Sequence, residues 1–195
     1  MKHIALFFGS FNPVHTGHLI IASTIADLEG VDQVWLVVSP HNPLKESSGL
    51  APDHLRLEMA RLAVGNDPRI SVNDVEFHLT KPSYTIHTLE ALAGKFPDYR
   101  FSLILGSDIL PAFHLWKDYQ KILARAELLV YPRYTEEKDP GIIDWQRERI
   151  TQISAPRMEI SSTSIRQKVR EGKSIRYMVS PEVESFIIRH GLYRS

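Results

Sequence analysis

The sequence predicts a doubly wound α/β fold: a mostly parallel, Rossmann-like sheet with a helical C-terminal appendage. Three observations carry that prediction. Short continuous apolar runs recur along the chain, helical patterns separate them, and 195 residues suffice for one such domain but are short for two. A single domain over residues 1–195 is therefore expected.

The first run, Ile4 to Phe8, has no charged residue and suits a strand buried on both faces. Leu19 to Glu29 reads as a helix with Ile21, Ile25 and Leu28 on one face and Gly30 as its stop. Val34 to Val38 is the second run and closes a βαβ unit. A second helix is expected over His54 to Val64, with Leu55, Met59 and Leu62 on one face and Asp53 as N-cap. Ile70 to Val75 is a weaker strand, followed by a third helix bearing Ile86, Leu89 and Ala93. Phe101 to Leu105 and Leu128 to Tyr131 supply the last two strands. Beyond them, Pro132 to Gly141 is charged and proline-bearing, as a surface loop would be. One late helix is expected to start near Ser164, with Gln167 completing a capping box, and to end before Gly172. The last helix has Ser180 at its N-cap, Pro181 in its first position and Gly191 past its end.

Composition narrows the function. Lys plus Arg and Asp plus Glu both total 23, so no basic excess exists to hold a nucleic-acid backbone. A small phosphorylated substrate needs only a few placed cations and remains compatible. With no cysteine, disulfides, thiolate nucleophiles and Cys-type zinc sites are excluded, and a cytoplasmic home is expected. The apolar run Ile4 to Phe8, which follows Met1-Lys2-His3, is too short for a signal peptide, and no stretch is long enough to span a bilayer. Neither a membrane nor a nucleic-acid partner is expected, and homo-oligomerisation is left open.

Ligands of such sheets bind beyond the carboxyl ends of the strands. After the first run comes Gly9-Ser10-Phe11-Asn12-Pro13-Val14-His15-Thr16-Gly17-His18. Gly9 permits close backbone approach, the following helix offers free N–H groups, and His15 and His18 fall on one face of its first turn. One histidine at a helix start is most simply a backbone cap, whereas two in this setting point to an anion site. Three or four ligands would be usual for a metal, and no partner cluster lies near them in sequence.

The segment His15-Thr16-Gly17-His18 resembles the H-x-G-H motif of the nucleotidylyltransferase superfamily, and later motifs resemble its nicotinate mononucleotide adenylyltransferase branch. The resemblance runs from Ile4 to Tyr193. It implies that Gly9, Ser10 and Phe11 belong to the ATP site. Ser83, Tyr84 and Thr85, in Pro82-Ser83-Tyr84-Thr85, would receive the pyridine nucleotide, and Trp116 would stack on its ring. Gly106 and Asp108, in Gly106-Ser107-Asp108, resemble a ribose-contacting turn. Ile160-Ser161-Ser162-Thr163-Ser164-Ile165-Arg166 resembles the signature that closes over ATP, which implies phosphate contacts from Ser161, Thr163 and Arg166. Lys45 occupies the place of a phosphate-binding lysine. Two departures stand out: Leu44 replaces a frequent histidine and Asn12 a frequent aspartate.

The implied reaction is attack by the phosphate of nicotinate mononucleotide on the α-phosphorus of ATP, in NAD biosynthesis. That nucleophile is already ionised, so no general base is needed. Catalysis would rest on orientation and charge stabilisation by His15, His18, Lys45 and Arg166, with Mg²⁺ accompanying ATP. Nicotinamide mononucleotide and pantetheine phosphate are the alternative acceptors, and a nucleotide-binding regulator without turnover is the alternative of another class.

Overall fold

The computed structural model describes residues 1–40, 49–133 and 149–194. Six strands, β1 (Lys2–Gly9), β2 (Gln33–Val38), β3 (Ile70–Asn73), β4 (Tyr99–Gly106), β5 (Ala126–Tyr131) and β6 (Ile150–Gln152), form one sheet in the order β3-β2-β1-β4-β5-β6. Every pairing is parallel, so the expected mostly parallel sheet is wholly parallel among the described residues. The chain builds outward from β1 to β3, then returns beside β1 with β4 and builds the other way. This reversal makes a topological switch point, and the crevice beyond the carboxyl ends of β1 and β4 is where an open α/β sheet receives ligands.

The helices are α1 (Thr16–Ala26), α2 (Asp53–Val64), α3 (Thr85–Lys95), α4 (Tyr119–Arg125), α5 (Ser162–Arg170) and α6 (Pro181–Arg189), with 3-10 helices at Val75–His78 and Ser107–Leu115. Side chains alternate across the strands and so feed two cores. Ala5, Phe7, Leu36 and Leu129 face α1, α2, α5 and α6 through Ile25, Met59, Ile165 and Ile187. Ile4, Leu6, Leu103 and Leu128 face α3 and α4 through Leu89, Leu92 and Ile122. Covered faces on both sides explain why the strands read as continuous apolar runs.

Several boundaries differ from the sequence expectation. Helix α1 begins at Thr16 rather than Leu19, because His15 already caps it, and ends at Ala26, ahead of Gly30 at φ 82°. Asp53 opens α2 instead of capping it; its carboxylate meets Arg56 and Lys81. On α3, Leu92 is buried where Ala93 was expected, and Ala93 faces out. Helix α5 is capped by Ser161, whose Oγ accepts from the Ser164 N–H, while Gln167 donates to Glu171 instead of completing a capping box. The last helix has the expected Ser180 cap and Pro181 start. Strand β6 and helix α4 were not expected, being three and seven residues long. Of the loop expected over 132–141, residues 134–141 lie outside the described residues.

Candidate active site

Residues Gly9 to His18 turn from β1 into α1. Gly9 has to be glycine because a Cβ there would meet the Phe11 ring at 2.9 Å. The close approach is thus internal: Phe11, at φ 44° and 2% exposed, lays its ring beneath the turn. A side chain so buried offers no ring to ATP; it packs edge-on against Phe7 at 6.0 Å and His18 at 5.0 Å.

The two imidazoles stack, with centroids 3.6 Å apart and planes 25° from parallel. His18 Nδ1 accepts from the His15 backbone N–H at 3.2 Å, so in the neutral ring Nε2 carries the proton. Burial, and to a lesser extent the nearby Arg133 cation, push the His15 imidazole down to about 4 from an ordinary 6.5. His15 is therefore neutral at pH 7 and contributes a hydrogen-bonding dipole rather than a full charge. Gly17 lets the segment entering α5 approach: a Cβ there would lie 2.5 Å from Ile160 Cγ2 and 3.0 Å from His15 Nδ1.

The N-terminal segment of α5 docks on the same turn. Ser162 Oγ donates to Pro13 O at 2.8 Å, and Arg166 donates to Asn12 O at 2.9 Å and to Thr163 Oγ1 at 3.4 Å. Asn12 makes its departure from aspartate intelligible. Its amide donates to Gly49 O at 2.9 Å, which a carboxylate cannot do, while its Oδ1 accepts from Ala51 N–H at 3.0 Å and Tyr193 O–H at 2.8 Å.

Across the switch point, Gly106 ends β4 and Asp108 lies in the following 3-10 turn. A Cβ on Gly106 would run into Asp108 Oδ1. Arg133, which the sequence reading did not single out, pairs with Asp108 at 3.2 Å and takes Ser107 Oγ as acceptor for its backbone N–H. Tyr131 joins it, its phenol pushed up by burial. A cleft of about 50 Å³ opens between His15, His18, Tyr131, Arg133 and Ile160. Among the described residues, the buried side-chain polar atoms with no hydrogen-bond partner are His15 Nδ1 and Asp108 Oδ1, on the two sides of the switch point.

The pyridine-side residues form a second group. Ser83 is buried and donates to Glu76 at 3.1 Å, so its hydroxyl is engaged within the fold; Thr88 donates to the same carboxylate at 2.8 Å. Tyr84 caps α3 with Thr85 as its first residue, and the Lys117 ammonium sits 4.6 Å from the Tyr84 ring centroid. Trp116 is half-buried, tilted 5.1 Å from Phe113. Lys45 lies outside the described residues. Glu76 and Arg133 escaped the sequence reading because isolated charges carry no periodic signal.

Residues 6–168 match the cytidylyltransferase-like family. A Flavobacterium johnsoniae protein named "Probable nicotinate-nucleotide adenylyltransferase" is 44% identical over 191 residues, covering 98% of each chain. A protein of the same name from Flavobacterium psychrophilum is 45% identical over 192 residues, again with 98% of each chain covered. A solved structure described as Plasmodium falciparum nicotinic acid mononucleotide adenylyltransferase complexed with NaAD superposes with a TM-score of 0.82, covering 99% of this chain and 98% of that one. At 22% identity that likeness is one of fold. The chain belongs to the cytidylyltransferase-like family, in the branch of the nicotinate-nucleotide adenylyltransferases.

Proposed function

We propose that this nucleotidyltransferase joins the AMP part of ATP to nicotinate mononucleotide, releasing pyrophosphate and forming deamido-NAD in NAD biosynthesis. The observation that carries this function is the convergence of the stacked His15–His18 pair with the α5 N-terminal segment on one cleft at the β1/β4 switch point.

The acceptor phosphate is ionised at neutral pH and attacks the α-phosphorus in line. Little covalent chemistry falls to the protein, and orientation plus electrostatic stabilisation carry the rate. His18 donates from Nε2 to an oxygen of the α-phosphoryl group, and neutral His15 stacks behind it. The amides of the Gly9–Ser10 turn, with Ser161, Thr163 and Arg166, hold the departing pyrophosphate. Asp108 Oδ1 accepts from a ribose hydroxyl, giving that buried oxygen the partner it lacks among the described residues. Tyr84, Thr85 and Trp116 receive the pyridine ring, with Ser83 shaping the turn through Glu76. Lys45 approaches the phosphates, a role that rests on sequence resemblance. On this reading Mg²⁺ comes with ATP as part of the substrate.

On this reading the 195 residues act as one domain in the cytoplasm, on small nucleotides rather than nucleic acids. No helix of the described residues is long and apolar enough to cross a membrane.

Pyrophosphate release from ATP, Mg²⁺ and nicotinate mononucleotide tests the function. Wild-type protein should turn over, and folded His18→Ala should lose about two to three orders of magnitude in turnover. An inactive wild type would leave a nucleotide-binding regulator, and a fully active His18→Ala would remove the histidine from the mechanism.

A further inference from the structure

Arg56 is the largest wholly buried side chain among the described residues. It stands in the first turn of α2, and a guanidinium there is costly unless its hydrogen bonds are complete. They are complete. Nε donates to Ala51 O at 2.9 Å, one terminal nitrogen to Ser10 O at 2.5 Å and Ser39 O at 2.7 Å, and the other to Pro40 O at 2.9 Å and Asp53 Oδ1 at 2.7 Å. These use all the N–H donors a guanidinium has. Asp53 is a weak counterion, its side chain 37% exposed and shared with Lys81 at 3.2 Å. The four carbonyl dipoles are therefore what chiefly holds the cation.

Those carbonyls belong to the site's framework. Ser10 follows β1, Ser39 and Pro40 follow β2, and Ala51 leads into α2. The Ser10 carbonyl immediately precedes Phe11, whose φ of 44° lies in the left-handed region that a bulky residue rarely adopts. Phe11 persists there because it is fixed on both sides: by Arg56 at Ser10, and by Asn12, whose side chain is tied to Gly49 and Ala51. Its ring in turn meets the His18 imidazole edge-on at 5.0 Å. One line of contact thus runs from Arg56 through the Ser10 carbonyl and Phe11 to His18.

We infer that Arg56 is a positioning residue of the adenylyl transfer: without touching substrate, it fixes the Ser10–Phe11 turn and through it the orientation of the His18 imidazole. This rests on the function proposed above, so the experiment has one readout that needs no turnover. Arg56→Lys retains the charge but offers three donors on a flexible stem in place of a planar fork of five. It is compared with Ile122→Ala, a core variant on α4, the helix that leads into the amino end of β5. Folded Arg56→Lys should lose about tenfold to a hundredfold in kcat with KM for ATP changed by less than about threefold, the pattern of a misplaced catalytic group. The His18 ring resonances should shift in Arg56→Lys and stay in place in Ile122→Ala, whose kcat per folded molecule should be unchanged. Unaltered kcat and unaltered His18 resonances in folded Arg56→Lys would overturn the inference, as would equal kcat losses in the two variants. Should Arg56→Lys not fold, Phe11→Leu interrupts the same line; it should lower kcat and move the His18 resonances, and an unchanged kcat would overturn the inference. If the wild type proves inactive, the functional proposal fails, and the His18 resonances alone decide whether Arg56 sets the ring.

Discussion

His15 is held neutral by its own fold, and that has a consequence for stability. Its imidazole, 6% exposed, takes a proton only near pH 4 in the folded chain, against an ordinary 6.5 in the unfolded one. Between those values the unfolded chain binds more protons, so stability present above about pH 6.5 is lost as the pH falls. By about pH 5 the loss from this residue should reach roughly 2 kcal/mol relative to neutral pH. Urea unfolding of the wild type and His15→Gln measures it: the wild type should lose more stability on acidification than the variant, by about that amount. Identical pH dependence in the two would contradict the burial-driven depression. At this same scale Asn12 shows how a departure from a family pattern can suit its surroundings, since the Gly49 carbonyl requires an amide donor there.

At the scale of elements, the decisive contact is between α1 and the segment entering α5. Gly17 permits it, and Gly17→Ala would drive a Cβ against Ile160 and the His15 ring. Overpacking of this kind costs about 1–3 kcal/mol, so the variant should be destabilised by that much and lose turnover of about tenfold or more through the displaced ring. Adding Ile160→Ala should restore part of the stability, and a Gly17→Ala protein with wild-type stability and turnover would refute the docking. The strands that were legible from sequence were those buried on both faces, such as Val34 to Val38, where continuous apolarity is itself the signal. Strand β6, Ile-Thr-Gln, is an exposed edge of three residues and carries no such pattern. Helix α1 was placed three residues late because His15 and Gly17 look like loop chemistry, although one caps the helix and the other lies inside it. Arg56 and Glu76 were illegible for a different reason. A charged residue is by default a surface residue, and only the fold shows four carbonyls gathered around one and two hydroxyls around the other.

Over the whole molecule, the sheet order brings together residues from opposite ends of the chain. Thr16 donates its backbone N–H to Met178 O at 2.9 Å, Tyr193 reaches Asn12, and Ser162 reaches Pro13. The C-terminal helices therefore close one side of the first loop instead of forming a separate unit. The motifs could be recognised singly in sequence, but their meeting at the β1/β4 switch point follows from the strand order, which periodicity alone does not give. In the proposed reaction the adenylyl group passes to the acid form of the pyridine nucleotide. A competition assay decides the acceptor: nicotinate and nicotinamide mononucleotides are supplied together at equal concentration with ATP and Mg²⁺, and the ratio of the two dinucleotide products is measured by chromatography and mass spectrometry at early times. That ratio reports the two kcat/KM values against each other. Deamido-NAD should exceed NAD by about tenfold or more, whereas equal amounts, or an excess of NAD, would contradict the proposed substrate.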